Sequence, residues 1–73
     1  MLNGALIREV RNSMGYTTKD IENLSLNEKY PTKISKSYLE ELERGDKTNP
    51  SFKKLIVLAK VLNCKIDDFV HMS

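Results

Sequence analysis

Apolar residues in this chain recur at every third or fourth position, and no segment alternates apolar with polar residues long enough to make a convincing strand. That spacing predicts an all-α fold, and cap and stop residues divide it into five helices. The first is expected from about Asn3 to Met14, with Leu6, Val10 and Met14 on one stripe and Ile7 beside them. Gly15 ends it, because glycine tolerates the positive φ of a helix C-terminus. The second begins at Thr17 or Thr18, whose hydroxyls can cap free N–H groups. Asp20, three residues after Thr17, completes a weak variant of the capping box. Ile21 and Leu24 face inward, and the period runs on to about Lys29 before Pro31 disfavours helix at Tyr30.

The third helix starts after Ser35 and ends at Gly45, burying Leu39 and Leu42 with Tyr38 on the flank. The fourth follows Asn49-Pro50-Ser51, with Ser51 as the cap. Phe52, Leu55, Leu58, Ala59 and Leu62 make it the most apolar helix and the expected centre of the core. A short fifth helix is expected from about Ile66 to Met72. Ile66, Phe69 and Val70 pack inward, Asp67 and Asp68 suit its first turn, and Lys65 is a poor cap.

The 73 residues are enough for one domain, spanning 1–73, and lie near the lower limit for a core that folds unaided. Little volume is left for a buried cleft, so binding on an exposed surface is expected rather than catalysis. No nucleophile motif or Gly-rich phosphate loop is present, and no cofactor is expected. Cys64, read as half-buried, and His71, read as solvent-facing, do not make a metal site. No apolar run is long enough to span a membrane. The N-terminus lacks the basic start and apolar block of a signal peptide. With a lone cysteine, these features point to a reducing, cytoplasmic setting.

The net charge of +2 is compatible with nucleic acid without demanding it. Between Lys33 and Lys54, the basic residues Lys33, Lys36, Arg44, Lys47, Lys53 and Lys54 are mixed with Glu40, Glu41, Glu43 and Asp46, so the patch is not a basic stripe.

Ordered along the chain are Ile7-Arg8-Glu9-Val10-Arg11, Gly15-Tyr16-Thr17-Thr18, Ile34-Ser35-Lys36-Ser37-Tyr38-Leu39, Leu42-Glu43-Arg44-Gly45, Asn49-Pro50-Ser51 and Ala59-Lys60-Val61-Leu62. Each piece alone is noise. The ordered set resembles the Cro and phage-repressor type of helix-turn-helix domain, the XRE family, over nearly the whole chain. The resemblance implies a five-helix, lambda-repressor-like domain that binds double-stranded DNA and regulates transcription as a repressor, with no enzymatic activity. Its reader would be the helix at 35–44, lying in the major groove.

By resemblance, base contacts fall on Lys36, Ser37, Tyr38 and Glu41, beside the cap residue Ser35. Lys36 would donate to guanine, and Glu41 would accept from cytosine N4. Thr18 and Lys19, at a helix N-terminus, suit a phosphate, and Arg44, Lys47, Thr48 and Asn49 form a further backbone-contacting set. Glu40 is expected on the solvent side, where it opposes non-specific binding. Arg11 and Glu43 are expected to form a buried or half-buried ion pair between the first and third helices.

Two departures from the family pattern stand out. Glu22 occupies a position usually taken by a small residue. The tight turn before the reader is replaced by Leu26–Lys33, roughly seven residues longer, an insertion that loop closure penalises only weakly. Lys29 and Lys33 are placed to reach a phosphate, and Tyr30 to fold back on the core. A homodimer, formed around Val70 and Met72 or only on DNA, is one expected assembly. The alternative function is an antitoxin or other protein-interaction module on the same fold. A protein partner at the 26–33 insertion is a further alternative.

Overall fold

The computed structural model describes residues 2–70. Four α-helices, α1 (Gly4–Ser13), α2 (Thr18–Ser25), α3 (Lys36–Arg44) and α4 (Phe52–Val61), are followed by a single 3₁₀ turn at Ile66–Asp68. Among the described residues no strand forms; one isolated antiparallel bridge joins Leu2 to Val70.

The helix starts follow the local chemistry. Asn3 Oδ1 accepts the N–H groups of Ala5 and Leu6 at 3.0 and 3.3 Å. Thr17 and Asp20 form a reciprocal capping box, with each side chain accepting the other's backbone N–H at 3.0 and 2.9 Å. Ser35 Oγ accepts from Tyr38 N at 3.1 Å and Ser51 Oγ from Lys54 N at 3.3 Å. α3 stops at Gly45, which sits at φ +85° and returns its N–H to Leu42 O.

The core gathers Ile7 from α1, Ile21 from α2, Leu39 and Leu42 from α3, Val57 and Leu58 from α4, then Leu62, Phe69 and Ile34 from the connections. Each fully buried aliphatic side chain contributes roughly 1.5–3 kcal/mol. α3 packs on α1 and α2, and α4 packs on α2 and the 3₁₀ turn. Gly4 permits the α1–α3 approach: a Cβ there would overlap the carbonyl oxygen of Leu42.

Several expected positions are corrected. Met14 is exposed, because α1 ends at Ser13 and Met14 serves as its C-cap. α2 ends at Ser25 rather than near Lys29, and Leu24 faces solvent while Ser25 takes the inward place. Phe52 is 69% exposed; Val57 and Val61 are buried on α4 in addition to the expected Leu58 and Ala59. The fifth helix is only the 3₁₀ turn, since beyond it the backbone turns to pair Val70 with Leu2, while Asn3 N–H donates to Phe69 O at 2.9 Å. His71 and Met72 lie outside the described residues.

Ser25 accounts for the early end of α2. Its buried Oγ accepts the N–H of Ile34 at 2.8 Å and lies 2.8 Å from Glu22 O and 3.3 Å from Ile34 O, so its one proton is offered to either carbonyl. The 26–33 segment therefore leaves and rejoins the core at one point. Tyr30 packs against the core's edge, as expected, with Lys29 Nζ 5.3 Å from its ring centroid.

Candidate nucleic-acid interface

α3 presents two unlike faces. Leu39, Leu42 and Glu43 are buried, and Lys36, Ser37 and Arg44 are exposed. The buried face is fixed by an ion pair as well as by packing. Arg11 donates from Nε to Glu43 Oε2 at 2.7 Å and from Nη2 to Oε1 at 2.8 Å, while Nη1 holds Tyr16 O at 2.8 Å. The Glu43 hydrogen bond and charge hold the Arg11 guanidinium above its ordinary pKa against the opposing effect of burial. The expected α1–α3 link is thus a two-pronged, charge-assisted contact, and Arg8 Nε approaches the same carboxylate at 3.5 Å. With this contact in place, α3 cannot rotate without stranding a buried carboxylate.

The exposed face is knitted to α2 by two acids. Glu22 Oε1 takes Lys19 Nζ at 2.6 Å, and Oε2 takes the backbone N–H of Lys36 at 2.9 Å. Glu22 therefore caps α3 from the neighbouring helix. The Lys19 and Lys36 hydrogen bonds together hold its carboxyl below the usual glutamate range. Glu40 Oε2 accepts from Lys36 Nζ and from Thr18 Oγ1, both at 3.1 Å, which lowers its pKa in the same way. Glu40 is half-buried and paired, not the solvent-side bystander expected from its position.

The remaining expected residues fall in three places. Ser35 is committed to capping α3 through Tyr38 N. Tyr38 is half-buried; desolvation, with the nearby Glu41 charge second, raises its phenol pKa, and Lys54 Nζ lies 5.0 Å from its ring centroid. In the α3–α4 connection, Arg44 pairs with Asp46 at 2.9 Å and Lys47 approaches Glu41 at 4.0 Å; Thr48 and Asn49 are exposed. Lys33, exposed at the end of the insertion, lends its carbonyl to Lys54 Nζ at 2.7 Å.

Thr18, Lys19, Lys36, Ser37 and Tyr38 thus meet along the N-terminal ends of α2 and α3, and Lys33 joins them through Lys54. Lys54 is the residue that sequence reasoning missed. It stands in α4, and no periodicity within one helix places it above the ring of another. Asp20 modifies the expected phosphate seat at Thr17-Thr18. It already places a negative side chain at that N-terminus, where it accepts the Thr17 N–H, while Thr18 Oγ1 and Lys19 Nζ are taken by Glu40 and Glu22.

Among the described residues, no helix is long and apolar enough to cross a membrane, and no group of three or more His, Cys, Asp or Glu could hold a metal ion. A family model described as helix-turn-helix matches residues 7–69. No curated protein and no solved structure matches the chain.

Proposed function

The chain belongs to the XRE-type helix-turn-helix family of DNA-binding transcription regulators, and from that premise we propose that it is a cytoplasmic repressor that reads a specific duplex sequence with α3. The observation that carries this reading is the division of α3. One face is locked to α1 through Arg11–Glu43, and the other holds Lys36 and Ser37 exposed at the helix start. A helix held that firmly from behind can place short side chains against base edges in the major groove.

Lys36, Ser37, Tyr38 and Glu41 are assigned to bases. Thr18, Lys19, Lys33, Arg44, Lys47, Thr48 and Asn49 are assigned to the phosphate backbone, and Ser35 holds the reader's first turn. A dimer assembled on DNA, at half-sites about one helical turn apart, is the assembly proposed.

Selection from random duplexes, followed by titration of the winner in salt, tests the reading. Enrichment of a motif and an affinity that falls with salt are expected; enrichment of no motif sinks it. In the same selection, Lys36→Ala should change the preferred base, whereas Lys47→Ala should weaken all sequences alike and reduce the salt slope by about one.

A partner protein seated on the insertion is a second reading, favoured by the exposure of Leu24 and Leu26 at its start. A stoichiometric complex that Leu26→Glu abolishes without loss of DNA binding would support it.

A further inference from the structure

Resting on the DNA-binding reading above, we propose that Glu22 and Glu40 act as built-in phosphate surrogates that set selectivity, weakening binding to arbitrary DNA more than binding to the target. Between them the two carboxylates take the donors at the leading ends of α2 and α3 that a phosphate would seek. Glu40 takes the Thr18 hydroxyl and Lys36 Nζ. Glu22 takes Lys19 Nζ and the Lys36 backbone N–H. Two lysines meet two glutamates, so these four charges cancel one another.

The physical consequence follows from what each kind of DNA contact needs. Binding to arbitrary sequence draws almost wholly on phosphate neutralisation. A phosphate that takes Lys19 or Lys36 must displace a carboxylate that is fixed to the same helix or its neighbour. The displaced carboxylate stays nearby as a like charge. A base edge carries only partial charges, so a base contact by Lys36 or Ser37 suffers far less from the remaining carboxylate. The penalty therefore falls chiefly on the sequence-independent part of the binding energy, and the ratio of specific to non-specific affinity rises. Glu22 has a second role as an external cap of α3; Glu40 caps no helix and adds to the junction only the Thr18 hydroxyl contact, which makes it the cleaner probe.

The experiment compares the full chain with Glu40→Gln and Glu22→Gln, titrating a random-sequence duplex and the selected duplex across a salt series. Glu40→Gln should tighten binding to the random duplex about two- to fivefold, the scale of one surface charge interaction. Its salt dependence should be steeper, and the gain on the selected duplex smaller. Adding Lys36→Ala to Glu40→Gln should remove most of that gain. Random-duplex affinity that stays level or falls in Glu40→Gln overturns the proposal. Because Glu22→Gln also loses a cap, it is read only after a thermal melt shows it folded; if it is unfolded, Glu40→Gln decides alone. If the wild-type chain enriches no duplex, the DNA-binding reading itself has failed. If it does and Glu40→Gln leaves the ratio unchanged, only the surrogate role has failed.

Discussion

Ser25 and Ile34, nine residues apart, are joined side chain to backbone across the base of the insertion, with Ser25 Oγ accepting the Ile34 N–H at 2.8 Å. Both residues are buried. Together with the Glu22–Lys36 contact one turn earlier on α2, this pairing does what a tight turn does in a shorter connection. It sets how α2 and α3 meet, whatever the chain between them does.

Replacing the serine should therefore be expensive for its size. Ser25→Ala leaves the Ile34 N–H buried with no partner, and a loss of about 1–3 kcal/mol is expected in urea denaturation. Ser25→Thr keeps the hydroxyl and should recover part of it. An alanine variant as stable as the parent would mean that water or a shifted loop replaces the bond.

The Arg11–Glu43 pair predicts a sharper asymmetry. Glu43's side chain is 2% exposed and Arg11's 12%, so Arg11→Met leaves the buried carboxylate with only the exposed Arg8 at 3.5 Å and should cost about 3 kcal/mol. The double variant Arg11→Met, Glu43→Leu should lie closer to the parent than either single change, because no unpaired charge remains. Denaturation midpoints of the four proteins measure the coupling, and additive losses would show that the pair is not coupled.

Acid should loosen the α2–α3 junction. The carboxyls of Glu22 and Glu40 are held below their ordinary pKa by Lys19 and Lys36. A carboxylate with a depressed folded-state pKa stabilises the fold above its unfolded pKa, and that contribution is lost as pH falls through the folded value. Melting temperature should be level near neutrality and decline below the glutamate range, around pH 4.3. The decline should be shallower in Glu22→Gln. Melts followed by circular dichroism from pH 7 to 3 compare the two slopes.

Gly4→Ala tests the close approach of α1 to α3. The new methyl group meets the Leu42 carbonyl, which is backbone and has little room to move. A destabilisation of about 1–3 kcal/mol is expected, as for other overpacked contacts. Ala5→Gly, at an exposed neighbouring position, controls for the change in helix propensity.

The parts of the fold readable from the sequence are those decided within one turn of chain. Thr17, Ser35 and Ser51 cap helices and Gly45 stops one, because these residues act on N–H and C=O groups three or four positions away. What depended on distant partners was not readable. Leu24 and Ser25 stand equally well for the inward place after Ile21, and only the backbone of Ile34 decides for the serine. The Ile66–Phe69–Val70 pattern suits a helix, yet Leu2, at the other end of the chain, captures Val70 first. The candidate interface divides in the same way. The resemblance located α3 and its exposed residues, and the Arg11–Glu43 pair with them. The roles of Glu22, Glu40 and Lys54 rest on contacts between helices, which residue spacing along one helix does not encode.

The bridge between Leu2 and Val70 makes the described chain nearly a ring of helices. Fraying ordinarily starts independently at each end of a domain. Here the first and last described segments hold each other, so releasing either one releases both. α1 carries Arg11, and through Glu43 it braces α3. A disturbance near Phe69 or Val70 thus reaches α3 by way of α1, although the two are far apart in sequence.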